Sequence, residues 1–70
     1  MGKNWSQWNV SLWINNDEGL YNEARRLCRH RSKAEAARLM LELLNDCGIT
    51  ETPDGARYTV TAIRGAMVGM

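Results

Sequence analysis

The sequence has little of what catalytic and metal-binding proteins use. Its 70 residues include one His, two Cys and one Pro. His30 lies among arginines, which oppose a cationic catalytic intermediate, and no second pair of zinc ligands accompanies Cys28 and His30. No glycine-rich phosphate loop is present, and no Ser has a His with a carboxylate partner nearby. We therefore expect a protein that is not an enzyme and that carries no metal or other cofactor.

Long apolar runs are also missing. No stretch approaches the ~18 apolar residues that span a bilayer, and no apolar segment follows Lys3 to form a secretory signal. The sequence thus predicts a cytoplasmic protein without a membrane partner. With 44% apolar and 24% charged residues, the chain is not typical of disorder.

The length limits the core. Seventy residues predict one small domain, 1–70. A core of this size rarely contributes more than ~3–5 kcal/mol of net stability unless a disulfide, a metal or a partner adds to it. Binding to a partner is therefore a serious expectation, and self-association into a homodimer stays open.

The two cysteines do not supply a disulfide. Cys28 and Cys47 fall on successive helices that the pattern predicts to be antiparallel, with the turn near Arg31. They would lie on the order of 16 Å apart along the helix axis, which is beyond the reach of a disulfide. We expect reduced, packed thiols.

Residues 1–16 hold all three tryptophans, Trp5, Trp8 and Trp13. Both an alternating and a helical spacing can be found here, but a lone strand would have no partner downstream, so we predict a helical turn packed on the body. The tryptophans have two interpretations. They cover a small core, or they form an exposed anchor for a protein partner or a base-stacking surface.

The rest of the chain predicts three helices. Asn16 or Asp17 caps a helix over 17–30, and Ser32 with Glu35 forms a capping box that starts a central helix over 32–47. Gly48 ends that helix, a proline- and glycine-containing turn occupies 52–58, and a last helix covers 59–68. The predicted fold is therefore all-α, a compact three-helix domain with an N-terminal Trp-rich helical turn.

Charge is segregated along the chain. Nine Lys and Arg nearly balance eight Asp and Glu overall, but the segment from Arg25 to Arg38 holds six basic residues against Glu35 alone, a net charge of +5. Arginine clusters bind phosphates through forked donors, and they also meet acidic protein surfaces. A solvated basic face that only complements a helix terminus is the alternative.

The C-terminal half, with ELLNDCGITETPDGARYTVTAIRGAM at its centre, resembles a segment in the DNA-binding region of large serine recombinases. The residues that match are Leu44, Asn45, Gly48, Ile49, Thr52, Pro53, Gly55, Tyr58, Thr59, Ile63 and Arg64. The resemblance covers under half of the chain and implies a helix-turn-helix-like unit whose second helix approaches DNA. The last helix here has fewer basic residues than a groove-reading helix prefers.

The whole chain, with NVSLWINNDEGLY near the front and TPDGARYTVTAIRGAMVGM at the end, also resembles short uncharacterised proteins encoded by phages and plasmids. That family has no established activity. The resemblance implies a bacterial host cell and two kinds of role, a small DNA-binding regulator or an inhibitor that binds a host protein such as a defence nuclease.

Two hypotheses of function follow, both without catalysis. The first is DNA binding, and its candidate residues are Arg25, Arg26, Arg29, Arg31 and Lys33 on phosphates, with Arg57, Thr59, Thr61 and Arg64 near base edges or backbone. The alternative is a protein-binding face formed by the arginine cluster together with Trp5, Trp8 and Trp13. DNA binding through phosphates would weaken steeply with salt, whereas an apolar protein interface would not.

Overall fold

The computed structural model describes residues 5–70, and the fold is all-α. Its helices are α1 (Trp5–Asn16), α2 (Glu18–Cys28), α3 (Lys33–Asp46) and α4 (Val60–Ala66). The described residues contain no strand, and Glu51 and Arg57 form a single isolated antiparallel bridge. The predicted all-α class is thus confirmed.

The helix starts follow local capping chemistry. Asp17 caps α2, where its side chain accepts a hydrogen bond from the Leu20 amide at 3.0 Å. Ser32 caps α3 by accepting from the Glu35 amide at 3.2 Å. These side chains satisfy amides that the first turn of a helix leaves without a partner. The predicted starts of both helices are confirmed, whereas α2 ends at Cys28 and not at residue 30 as predicted.

The end of α3 is a Schellman motif. Gly48 adopts a φ of 77°, and its amide donates to the carbonyl of Asn45 at 2.9 Å while the amide of Ile49 donates to Leu44 at 2.8 Å. A left-handed residue at this point allows two carbonyls of the last turn to be satisfied, and glycine reaches that conformation without a steric penalty. The predicted stop at Gly48 is confirmed.

The N-terminal segment is more than a helical turn. It forms α1, a helix of 12 residues whose Asn9, Val10 and Ile14 are buried, and it packs more extensively against α4 than any other pair of helices does. The prediction of three main helices was wrong by one, because the polar residues on α1 hide its apolar face in the sequence pattern.

The link from α3 to α4 is long. It covers residues 47–59, whereas helix-turn-helix units join their helices by about three or four residues. Part of it is a turn in which the Gly55 amide donates to the Thr52 carbonyl at 2.8 Å and Gly55 has a φ of 96°. The last helix is also shorter than the predicted 59–68, since Met67 already ends it.

The core lies where the four helices meet. Its largest fully buried apolar side chains are Val10, Ile14, Met40, Ile63 and Met67. They come from α1, α3 and α4, and Leu27 and Ala24 of α2 close the cluster. Leu44 and Tyr58 also belong to the core, and alanines fill its remaining positions, which allows the short helix α4 to approach both α1 and α3.

Candidate binding surfaces

The predicted arginine cluster lies at the junction of α2 and α3. Arg25, Arg26, Arg29 and Arg31 are exposed and Lys33 is half-buried. The guanidinium of Arg25 lies 5.8 Å from the centre of the Tyr21 ring, a cation–π distance. We define the arginine surface as Arg25, Arg26, Arg29, Arg31, Lys33 and Arg38.

Two members of the arginine surface are held by neighbours in the chain. Arg26 forms an ion pair with Glu23 one turn earlier, and this hydrogen-bonded carboxylate raises the pKa of Arg26. Arg31 donates to the carbonyl of Leu27 at 3.3 Å and so satisfies the last turn of α2. The other members of the arginine surface form no ion pair with any residue of 5–70, so their positive charge is available to a partner.

The second predicted DNA-binding set lies elsewhere. Arg57, Thr61 and Arg64 are exposed, and Thr59 is the N-cap of α4, accepting from the Ala62 amide at 3.1 Å. The Tyr58 amide donates to the carbonyl of Thr50, so the link returns to where it leaves α3.

The two predicted sets lie at opposite ends of α3. The arginine surface precedes and begins that helix, whereas Arg57 and Thr59 lie beside its C-terminal end. A helix of 14 residues is about 21 Å long at 1.5 Å per residue. The structure therefore does not bring the two sets into one compact site.

The tryptophans divide into two groups. Trp5 and Trp8 are 50% and 59% exposed, and Leu12 on the same side of α1 is 38% exposed. Residues at these spacings form one stripe on a helix, which we call the aromatic face. Trp13 is half-buried instead, and its indole N–H donates to Asp54 at 3.0 Å.

A polar network fastens α1 to the link. Asn9, only 2% exposed, donates to an Asp54 carboxylate oxygen at 2.8 Å and accepts from the Thr52 hydroxyl at 2.6 Å. The Thr52 oxygen in turn accepts from the Ala56 amide at 3.1 Å. Every buried side-chain polar atom in the described residues has a partner. No local pattern in the sequence predicts this contact.

The network stabilises the charged form of Asp54. Hydrogen bonds from Asn9 and then from Trp13 lower the pKa of Asp54 below its usual range. Donors that bind a carboxylate favour its ionised form. Asp54 thus acts as an acceptor that holds two side chains of α1.

Two neighbouring concavities open beside α2, and both are walled by Leu20 and Ile49. The larger, of about 510 Å³, also borders Trp13, Pro53 and Tyr58. The smaller, of about 290 Å³, extends to Met40 and Leu43 between α2 and α3. The burial of Tyr58, and after it the charge of Asp17, raise the pKa of its phenol.

These concavities were also missed in the sequence. Leu20 and Ile49 wall both concavities, and no motif in the sequence marks them as surface residues, although Ile49 is 40% exposed. An apolar residue after a helix gives no sign of which neighbours leave it uncovered.

The described residues offer no grouping for metal or membrane chemistry. Residues 5–70 contain no set of three His, Cys, Asp or Glu side chains placed to hold an ion, and none of their helices is long and apolar enough to cross a bilayer. Cys28 and Cys47 are not bonded to each other. The expectation that both thiols are packed was wrong for Cys47, which is exposed at the end of α3.

Comparison with known proteins gives a family but no activity. No curated protein and no solved structure matches the chain. A family profile matches residues 2–70, nearly the whole sequence. The chain belongs to DUF7249, a family of unknown function.

Proposed function

We propose that the protein acts by binding, without catalysis, and that its partner is another protein that docks on the aromatic face of α1. The observation that carries the proposal is the exposure of Trp5 and Trp8 by half or more. Tryptophan is enriched among the residues that dominate protein interfaces, and large exposed apolar side chains in one stripe are typical of interaction sites.

The aromatic face is not needed to build the core. Val10 and Ile14 on the other side of α1 are fully buried and already supply its packing against α4. α1 also contains no charged residue, and Ser6, Asn15 and Asn16 are its exposed polar positions. The partner that fits is a protein with an uncharged apolar pocket, which a rigid helix can enter at low entropic cost.

The resemblance to phage and plasmid proteins supports a partner that belongs to the bacterial host. Small accessory proteins of that kind act on components of the bacterial host, and an inhibitor of a host protein needs only one good binding face. A domain of 70 residues offers that much surface.

The test is recovery of a host complex with tagged protein and with a Trp5→Ala/Trp8→Ala variant. We expect one stoichiometric host protein with the native chain and at least about a tenfold loss with the variant, the size expected for interface hot spots. Val68→Ala is the matched control, because Val68 is 75% exposed and lies after α4. Equal recovery by all three proteins would remove the aromatic face from the interface.

A second candidate is DNA binding by the arginine surface. Arg25, Arg29 and Arg38 are exposed and unpaired within residues 5–70, which favours contact with phosphates. The long link and the short α4 support a phosphate-dominated mode more than base reading by Thr59, Thr61 and Arg64, although Arg57 and Arg64 are free to contact backbone.

An electrophoretic mobility-shift experiment at low salt tests DNA binding by the arginine surface. Binding should weaken as salt rises, and Arg25→Gln/Arg29→Gln should lower the slope of log affinity against log salt by about one per lost phosphate contact. Arg57→Gln/Arg64→Gln shows whether the far end of α3 takes part. No shift at ~100 μM protein, which is within the usual non-specific range, would exclude DNA.

A further inference from the structure

We infer that the paired concavities beside α2 are a second docking site, and that their occupant is a short basic segment of a partner protein carrying large apolar side chains. We call the site the Leu20–Ile49 groove. It is separate from the aromatic face, since neither Trp5 nor Trp8 borders it.

The shape of the groove sets the apolar requirement. The two concavities share Leu20 and Ile49 and have volumes of about 510 and 290 Å³. Sites that enclose bound groups commonly measure about 300–1,000 Å³ and are lined mainly by apolar side chains. Ile49 and Leu43 are each about 40% exposed, so apolar surface is available without rearrangement of the core.

The charge of the rim sets the basic requirement. Asp17 and Glu51 border the larger concavity and Glu23 borders the smaller, whereas no Lys, Arg or His among residues 5–70 borders either one. Glu23 is paired with Arg26, whereas Asp17, which caps α2, and Glu51, which lies opposite Arg57 in the isolated bridge, form no ion pair within residues 5–70. Burial raises the pKa of Tyr58 first, and the charge of Asp17 raises it further, so the Asp17 carboxylate lies close enough to act on this wall of the groove.

Charge and shape together select the occupant. A neutral apolar segment would place no cation beside the charges of Asp17 and Glu51, and an acidic segment would be repelled by them. A segment with one or two Leu, Ile or Met side chains beside Lys or Arg places its apolar groups in the concavities and its cations against the rim. The same arrangement lets the long stems of Lys and Arg cover apolar surface.

Trp13 provides an internal reporter because it borders the larger concavity. In a Trp5→Phe/Trp8→Phe background it is the only tryptophan. The protein is titrated with two Trp-free peptides while the fluorescence emission of Trp13 is followed. The peptides have equal length and the same Leu positions, but one carries Lys and the other Glu at the polar positions. We expect the Lys peptide to shift the emission and to bind at least about tenfold more tightly than the Glu peptide.

Variants locate the site and control for total charge. Glu51→Lys should weaken the Lys peptide by about fivefold, the size of one partly exposed ion pair, and Ile49→Ala should weaken both peptides. Glu42→Lys makes the same charge change on a part of α3 that does not border the groove, and it should leave affinity unchanged. Equal loss from Glu42→Lys and Glu51→Lys would reduce the effect to general electrostatics and overturn the assignment.

Three other outcomes overturn the inference. The first is equal binding of the two peptides. The second is no binding of the Lys peptide at ~1 mM, which is the weak limit of useful affinity. The third is self-association of the protein that sedimentation detects and that Glu51→Lys disrupts, because a second copy would then be the occupant. The host complex serves as a separate readout, because its loss in Trp5→Ala/Trp8→Ala tests the aromatic face alone.

Discussion

At the scale of single residues, the contact of Asn9 with the link is the most informative. One amide side chain serves as donor to Asp54 and as acceptor from Thr52, across 45 and 43 positions of the chain. A buried side chain that uses both ends of its amide fixes the orientation of its helix as well as its position. Loss of this residue leaves polar groups without partners, which costs more than the hydrogen bonds themselves contribute.

Asn9→Ala should lower the free energy of unfolding by about 1–3 kcal/mol, because the buried Thr52 hydroxyl loses its acceptor and Asp54 loses a donor. Urea unfolding followed by circular dichroism measures the change. Asn15→Ala on the same helix is the control, since Asn15 is exposed and bonds only to Ser11 one turn earlier. A similar cost for the two variants would contradict the role given to the network.

Asp54 should make stability depend on pH in the acidic range. Its pKa is lower in the folded than in the unfolded chain because Asn9 and Trp13 donate to the carboxylate. The stabilisation is therefore complete above the unfolded value of about 4 and is lost as pH falls through the lower folded value. Asp54→Asn should flatten this part of a stability profile between pH 2 and 6, and an unchanged profile would show that other carboxylates cause it.

At the scale of elements, local signals in the sequence predicted the starts of α2 and α3 and the end of α3, and long-range contacts determined much of the rest. Asp17, Ser32 and Gly48 act within a turn of their own position, so their patterns are readable without the fold. The tertiary position of Asn9 depends on the distant residues Thr52 and Asp54, which no local pattern encodes. The arginine surface was predictable for the same reason that caps are, since its residues lie within fourteen positions of each other around one helix junction.

Gly48, which follows α3, and Gly65 of α4 should change the stability of the protein in opposite directions when each is replaced by alanine. Gly65→Ala should stabilise the protein by about 0.5–1 kcal/mol, because the residue is helical and exposed and an added Cβ meets no atom within 4 Å. Gly48→Ala should destabilise it by about 1 kcal/mol, because alanine must adopt the φ of 77°. Thermal unfolding of the pair is the measurement, and a shift of the same sign in both would contradict the assigned conformations.

At the scale of the whole molecule, charge and apolar surface are arranged independently. The arginine surface lies at one end of the α2–α3 hairpin, and the acidic rim of the Leu20–Ile49 groove lies towards the other, beside the start of α2 and the end of α3. The near-zero net charge of the chain therefore hides a separation of positive and negative charge between two surfaces of the molecule. Long-range steering of charged partners responds to such a distribution more than to the total.

One shared core predicts one unfolding transition. Far-ultraviolet circular dichroism reports all four helices, whereas the fluorescence of Trp13 in the Trp5→Phe/Trp8→Phe background reports the attachment of α1 to the link. The two urea midpoints should coincide, as expected for two-state unfolding of a small domain. An earlier fluorescence transition would mean that α1 detaches before the other helices melt.

The packing of α1 on α4 has a consequence for synthesis in the cell. The first described helix has its most extensive contact with the last, so Val10 and Ile14 lack most of their cover until residues near Met67 have been made. This domain cannot complete its folding while the chain is still emerging, whereas longer proteins usually fold one domain after another during synthesis. A nascent chain truncated after α3 should accordingly bind hydrophobic chaperones, whereas one ending after α4 should be released from them.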